Sequence, residues 1–316
     1  MTCVTVLEWP LQLNCIYPGI ASVGLLRMNL IAMSGAVTIA LASTIVFLLV
    51  VKSWQAFAHS MASSRFPKSI MREAAQRFRD DLERLSREQA VYLTSALVFT
   101  VIFSVSYLLP PKGMFDQLPQ WQLIVTLVLC VIAAGYTVFR LFQIIIARRR
   151  LSFVLDANMA TGHALQKLTA NQNRVFHDVP CQAGIVDNVV VGLHGIYAIS
   201  VIARKPGKDN RARLQGDVLT FAPGKLSMSV SRSGEKSAQL AREFRKLVGH
   251  EVRVRSVITV PGWEIDSQVS DDYLIVNERN LAMLSGWKEQ KDYLMNEDVE
   301  AIQQLLTERC TRFGKK

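Results

Sequence analysis

Three long apolar runs before residue 150 constrain the fold more than any other feature of this sequence. They cover residues 30–51, 90–109 and 123–147, and each holds at least 20 residues. A helix of that length crosses a hydrocarbon core of about 30 Å. We therefore predict a three-helix transmembrane region over residues 29–150. The segment 1–28 has no clear pattern, and we predict it to be disordered or not translated.

The basic residues that flank these runs predict an orientation. The loop 52–89 contains eight lysines and arginines, and three arginines stand at 148–150, whereas the loop 110–121 contains only Lys112. Loops rich in Lys and Arg stay on the cytoplasmic side of a membrane. We therefore expect an integral protein of a bacterial inner membrane, with its N-terminus outside and its C-terminal domain, residues 151–316, in the cytoplasm.

The first basic loop also contains an amphipathic pattern. Ile70, Ala74, Phe78, Leu82 and Leu85 recur at helical spacing among charged residues. Such a stripe predicts an amphipathic helix over 68–89. It could pack against the cytosolic domain, the membrane surface or a partner.

The net charge of +10 belongs mainly to the spans and their flanks. Residues 151–316 contain 22 Lys and Arg against 19 Asp and Glu. A soluble nucleic-acid-binding protein would carry the excess on its folded domain. The five cysteines form no C-x-x-C pair, so the sequence does not support a zinc or redox motif.

Residues 151–316 are long enough for one well-buried domain and have mixed periodicity. We predict helices over 152–170, 237–248, 278–285 and 297–309. Two hairpins are predicted, one from 184–191 and 196–202 and one from 217–221 and 226–230. Further strands are predicted at 252–260 and 273–276. This order is typical of an α/β or α+β sandwich with a mixed sheet.

Four runs in this domain carry a resemblance to a known family. They read ATGHALQKL at 160–168, VFHDV at 175–179, IVDNVVV at 185–191 and GIYAISV at 195–201. The chain resembles the nuclease-related domain (NERD) family, a relative of the restriction-endonuclease-type nuclease core. Members often occur fused to membrane spans or helicase-like modules. The resemblance covers about 155–310 in element order and implies a restriction-endonuclease-like fold.

The resemblance also implies a metal site, from which this chain departs. The family pattern has Gly-Glu in a helix, Ile-Asp-His in one strand and Glu-x-Lys in the next. Its carboxylates hold divalent metals that activate water, and its lysine stabilises the developing charge. Here Asp187 is retained, but His163 replaces the helix acid, and Ser200 begins a Ser-Val-Ile run in place of Glu-x-Lys. We expect the fold to survive and hydrolysis to be weak or absent.

Asp187 in an apolar strand leaves two interpretations open. It could ligate a metal, or it could accept hydrogen bonds from a neighbouring loop. Together with His163 and Ser200 it forms the candidate catalytic set. No cofactor is predicted outright. Mg²⁺ or Mn²⁺ is implied only if other acids, such as Asp209 or Asp217, complete the site.

The segment 204–255 is strongly basic, with thirteen Lys and Arg against five Asp and Glu. Such a stripe could contact a nucleic-acid backbone, anionic lipid headgroups or a protein partner, or it could simply be solvated. The candidate nucleic-acid-binding residues are Arg204, Lys205, Lys208, Arg211, Arg213, Arg242 and Arg245.

These observations favour a membrane-anchored, NERD-like protein that binds DNA or RNA with little or no hydrolysis. One alternative is an active metal-dependent nuclease with migrated ligands. Another is a membrane scaffold, in which Ser34, Thr38 and Ala42 place small residues at four-residue spacing and the spans form a homo-oligomer.

Overall fold

The computed structural model describes residues 18–61, 71–108, 120–171, 173–207, 209–222, 226–269, 272–285 and 292–311. The predictions for residues 1–17, 68–70 and 223–225, for residue 109 and for Lys208 lie outside this part of the chain. The helices are α1 Pro18–Met61, α2 Gln76–Leu108, α3 Gln120–Gln166, α4 Ser231–Val248 and α5 Asn296–Cys310, with 3₁₀ helices at Lys167–Asn171 and Asn280–Ser285. The strands are β1 Arg174–Cys181, β2 Gly184–Gly192, β3 Gly195–Val201, β4 Arg211–Gln215, β5 Val218–Phe221, β6 Leu226–Ser229, β7 Val254–Thr259, β8 Glu264–Val269 and β9 Tyr273–Val276.

The chain divides into two compact units. One comprises Met1–Phe57 and Ala90–Leu141, and the other comprises Ala58–Gln89 and Phe142–Lys316. Within the described part of the chain, three helices are long and apolar enough to cross a membrane, over Gly35–Phe57, Gln76–Ser106 and Val128–Thr169. This indicates that the protein is membrane-associated. The second unit includes Ala58–Gln89, which the sequence-based boundary at 151 had left with the transmembrane region.

Several hydroxyl groups in the first unit donate hydrogen bonds within their own helices. Thr38 donates to the Gly35 carbonyl at 2.8 Å, and Thr44 donates to the Ala40 carbonyl at 2.6 Å. In α2, Thr100 donates to Ala96 at 2.9 Å. Because a hydrocarbon environment offers no water, this internal pairing is what an apolar span requires of its hydroxyl side chains.

The second unit is built on a five-stranded mixed sheet with the order β1-β2-β3-β7-β9. β1, β2 and β3 are antiparallel neighbours, and β3, β7 and β9 are parallel. The predicted hairpin of β2 and β3 is confirmed, with Leu193 and His194 in its turn. The α/β class and the mixed sheet are therefore confirmed.

Both faces of this sheet are buried, and the strand sequences show why. Val189 and Val191 face a core formed with α4 and α5, whereas Val190 faces a second core with Leu165 of α3. In β3, Ile196 and Ala198 alternate in the same way with Tyr197 and Ile199. Side chains along a strand point alternately to opposite faces, so a continuous apolar run is needed where both faces are covered.

A second sheet of four strands, in the order β6-β5-β4-β8, forms a further core with the end of the first sheet. Leu214, Leu219 and Phe221 from this sheet meet Ile258 of β7 and Ile275 of β9. The predicted hairpin of β5 and β6 is confirmed. Strands β1, β4 and β8 were not predicted from the sequence, because polar and charged residues interrupt their apolar positions.

The amphipathic segment and the second span form one helix. α2 begins at Gln76, not at residue 68, and continues without a break to Leu108. The preceding residues Met71–Ala75 are not helical, and Ala75 has a φ of 60°. The predicted helix 152–170 is likewise the end of α3, followed by a short 3₁₀ helix.

A glycine in α3 explains how α3 meets the segment that leads into α2. A β-carbon on Gly162 would lie 2.5 Å from the Ala74 β-carbon, closer than two carbons approach. Further along both helices, Arg148 of α3 donates a hydrogen bond to the side chain of Gln89 of α2. The absence of a side chain at Gly162 therefore permits the close approach of Ala74.

We predict that Gly162→Ala destabilises the protein although alanine is the better helix former. Helix propensity favours alanine by about 1 kcal/mol, but overpacking costs about 1–3 kcal/mol. Gly135 lies in the same helix, and a β-carbon added there would meet no atom within 4 Å, so Gly135→Ala is the matched control.

Thermal unfolding of the full chain in detergent should show a lower midpoint for Gly162→Ala and no loss for Gly135→Ala. Adding Ala74→Gly should restore part of the loss. Equal stabilisation by both alanine substitutions would contradict the close packing.

Candidate functional site

Asp187 lies on β2 with only 13% of its side chain exposed. Its Oδ2 accepts a hydrogen bond of 2.9 Å from the backbone N–H of Val201, the residue that follows Ser200 on β3. Its Oδ1 lies 3.3 Å from Nη2 of Arg77. The carboxylate thus joins the end of β3 to the start of α2.

A second carboxylate lies beside Asp187. In the antiparallel register of β1 and β2, His177 pairs with Asn188 and Val179 pairs with Val186, so Asp178 lies opposite Asp187. Asp178 is 2% exposed and has a φ of 50°, which interrupts the regular ladder at this point. Like charges directly opposite each other destabilise a sheet unless a cation offsets them.

Arg77 of α2 contacts both acids, and it brings its cation to Asp187. Its backbone N–H donates to Oδ2 of Asp178 at 3.1 Å, and its guanidinium pairs with Asp187. The first N–H groups of a helix have no partner within the helix and are usually capped by a side chain just before it. Here Ala75 precedes Gln76 and cannot cap, so Asp178 caps the helix from a distant strand. Its negative charge also suits the helix N-terminus.

The groups around Asp187 shift the pKa of its carboxyl in opposite directions. Burial raises the pKa of its carboxyl, and the Val201 N–H, Lys236 and Arg77 act in the other direction, while Asp178 adds to the rise. Lys236 of α4 is held close by a 2.7 Å hydrogen bond from Nζ to the Ile185 carbonyl. Burial is the larger effect, so the charged form of Asp187 depends on its cationic neighbours.

The structure does not unite the three candidate catalytic residues. Ser200 is 7% exposed on β3, next to the Asp187 side chain across the hairpin. His163 lies exposed in the last turn of α3 and makes no hydrogen bond or ion pair among the described residues. Asp217 neighbours Tyr273, and Asp209 is exposed before β4. Neither therefore adds a ligand at Asp187.

The residues present do not fit the metal site that the resemblance implies. Such a site needs several oxygen ligands with lone pairs free to face one cation. Here both carboxylates already face Arg77, and no group of three His, Cys, Asp or Glu in the described part of the chain could hold a metal ion. The Asp187 carboxylate is engaged by the Arg77 guanidinium and the Asp178 carboxylate by the Arg77 N–H.

The basic candidates divide into structural and exposed residues. Arg204 stacks over the Phe221 ring at 4.7 Å, and its carbonyl accepts a 2.9 Å hydrogen bond from Trp263 Nε1. Arg213 pairs with Asp266 at 2.5 Å, which lowers the pKa of that carboxyl. Lys205, Arg211, Arg242 and Arg245 are exposed.

The exposed cations of α4 share one side of a regular amphipathic helix. Leu240 and Phe244 are buried, and Arg242, Arg245 and Lys246 are exposed. Residues three and four apart lie on the same face of a helix. We call these three residues the α4 basic face. α4 ends at Gly249 with a φ of 86° in a left-handed cap.

Comparison with known proteins adds no relative. No protein-family profile, no curated protein and no solved structure matches this chain significantly. The interpretation of the site therefore depends on its geometry and on the resemblance described above.

Three residues at this site, Arg77, Asp178 and Lys236, were not among the predicted ones. The sequence does contain a signal for one of them. Asp178, like Asp187, interrupts an apolar run, and an acid in such a run needs a cationic partner. Nothing in the local pattern around Arg77 distinguishes it from the other arginines of the loop 52–89.

We predict that Arg77→Ala lowers the free energy of unfolding by about 1–3 kcal/mol, because it leaves the buried carboxylate of Asp187 without its cationic partner. In the Arg77→Ala background, Asp187→Asn should recover part of the loss, since it removes one of the two facing charges. Denaturation of the full chain in detergent, followed by fluorescence of the buried Trp263, measures both effects.

The control for this prediction is Arg79→Ala. Arg79 forms an ion pair with Glu73 in which both side chains are largely exposed, so its loss should change stability little. An Arg77→Ala protein as stable as Arg79→Ala would contradict the assigned role, and so would an absence of coupling with Asp187.

Proposed function

We propose that this protein is a membrane-anchored, NERD-like protein whose C-terminal domain binds DNA or RNA through phosphate contacts and does not hydrolyse it. The observation that carries the proposal is the engagement of Asp187, the one retained motif acid, by Arg77 and by the Val201 N–H. An acid so engaged supports the structure of the domain instead of holding a metal.

The position of Ser200 supports the absence of hydrolysis. At the place where the family pattern has glutamate, β3 has Ser200, directly after the Ile199 that pairs with Asn188, and Ile202 follows at the place of the lysine. A hydroxyl and an alkyl group supply neither a second anionic ligand nor a cation for the developing phosphorane charge.

The α4 basic face supports binding of a polyanion. Within this face, the arginines at 242 and 245 form none of the ion pairs found among the described residues. Glu243 between them points elsewhere, to Arg309 of α5. Phosphates bound by such arginines release condensed counterions, so binding should depend strongly on salt.

We predict that the full chain in detergent binds duplex DNA or RNA, and that Arg242→Gln with Arg245→Gln weakens the binding. The slope of log K against log salt should fall by about one for each lost phosphate contact, so by about two for this pair. Fluorescence anisotropy of a labelled oligonucleotide over a series of salt concentrations measures it.

The matched control removes two charges elsewhere, with Lys167→Gln and Arg279→Gln, which are both exposed. It should leave the slope nearly unchanged. Equal effects of the two double variants would mean that only net charge matters. No binding at low salt would contradict the proposal and favour a scaffold, and binding only to anionic vesicles would favour lipid headgroups as the partner.

A divalent-metal-dependent nuclease is the second candidate, and one observation favours it. Asp178 lies opposite Asp187, and Lys236 lies close by, so two acids and a lysine are near each other although the motif positions have changed. This alternative requires Arg77 to leave the acids, and Mg²⁺ or Mn²⁺ to bind in its place.

We also propose a bacterial inner membrane as the location, with the C-terminal domain in the cytoplasm. The eight basic residues of the loop 52–89, against the single Lys112 of the loop 110–121, support this orientation.

Two variants carry a single cysteine, introduced as Lys112→Cys or Lys205→Cys after the native cysteines are replaced by serine. We expect the two cysteines to react from opposite sides of the membrane. In intact bacterial cells, a membrane-impermeant maleimide should label position 112 and reach position 205 only after the membrane is permeabilised. The reverse result would place the domain outside.

A further inference from the structure

The segment Met71–Arg77, which we call the strap, crosses the surface of the C-terminal unit and ends with the first two residues of α2. Its first residue forms an isolated antiparallel bridge with Thr311, and its second, Arg72, donates a 3.1 Å backbone hydrogen bond to the Cys310 carbonyl. Met71 packs against the core that contains Cys310, which is fully buried. The strap therefore covers the end of α5.

Polar groups of Asp178 hold the other part of the strap. Nη1 of Arg72 donates to the Asp178 carbonyl at 3.0 Å, and the Arg77 N–H donates to its carboxylate at 3.1 Å. Arg77 then reaches Asp187. Thus Asp178, at an irregular point of β1, accepts hydrogen bonds from both Arg72 and Arg77. Together these two arginines make three of the strap's contacts with the sheet.

The strap has little structure of its own. Its internal hydrogen bonds are those of a single turn, from Gln76 N–H to the Glu73 carbonyl and from Glu73 N–H to the Gln76 side chain, both at 3.2 Å. Ala75 has a φ of 60°, a conformation that disfavours residues with a β-carbon. A segment with few internal bonds and a strained residue opens more easily than the sheet on which it lies.

We propose that the strap is a releasable latch, which detaches from Asp178, Asp187, Gly162 of α3 and the end of α5 while the two sheets stay folded. Release removes the cap of α2, uncovers Cys310 and frees both carboxylates together. Since α2 runs without a break from Gln76 to Leu108 and contains an apolar stretch long enough to span a membrane, the latch holds the first turn of a candidate membrane helix. The latch does not depend on nucleic-acid binding.

Cys310 is a native reporter of the latch. Burial raises the pKa of its thiol to about 11, so the closed state reacts slowly with maleimide. The experiment uses the full chain in detergent, with Cys3, Cys15, Cys130 and Cys181 replaced by serine. The labelling rate of Cys310 is measured from zero to about 2 M urea, because local opening depends on urea far less than global unfolding does.

The variants compared are Arg77→Gln, Asp178→Asn, Arg79→Gln and Leu214→Ala. The first two loosen the latch, the third alters an exposed ion pair in the same region, and the fourth weakens the core of the second sheet.

The latch predicts a rate nearly independent of urea, raised about tenfold by Arg77→Gln and by Asp178→Asn and unchanged by Arg79→Gln and Leu214→Ala. The proposal is overturned if labelling rises steeply with urea in every protein, or if Leu214→Ala accelerates it as much as Arg77→Gln does. Either result would mean that Cys310 is reached only by global unfolding.

Discussion

The contact of Arg77 with two facing carboxylates is the interaction on which the arrangement of the C-terminal unit depends. Asp178 and Asp187 lie opposite each other on β1 and β2, where their charges repel. The Arg77 guanidinium offsets the charge of Asp187, and the Arg77 N–H is capped by Asp178. Because of these contacts α2 starts where it does, and Ala58–Gln89 belongs to the same compact unit as the sheets.

This interaction also changes the interpretation of the motif. A retained aspartate on the strand of a nuclease-like core suggests remaining metal chemistry when the sequence is considered alone. In the fold, the same aspartate serves as a hydrogen-bond acceptor for the end of β3 and as an ion-pair partner for α2. The hydrogen-bond donor is thus the last residue of a strand, whereas the sequence suggested a neighbouring loop.

Much of the fold could be predicted from local patterns, and the site could not. The apolar spans, the β2–β3 hairpin and the strand Tyr273–Val276 follow from length, alternation and turn residues. By contrast, the start of α2 depends on a cap supplied by a residue 101 positions away, which no local signal encodes. For a similar reason, the sequence could not show which residues of the basic segment 204–255 are available to a ligand. Arg204 and Arg213 contact residues of other strands, whereas the α4 basic face is exposed.

The most direct test of the role of Arg77 is Mn²⁺ binding to the full chain, measured by electron paramagnetic resonance together with cleavage of a DNA substrate. If the contacts with Arg77 keep both carboxylates from binding a metal, the wild-type protein and Asp187→Asn should bind Mn²⁺ equally weakly, and neither should cleave DNA. A Mn²⁺ site and DNA cleavage that are both present in the wild type and both lost in Asp187→Asn would contradict this role and favour the nuclease alternative.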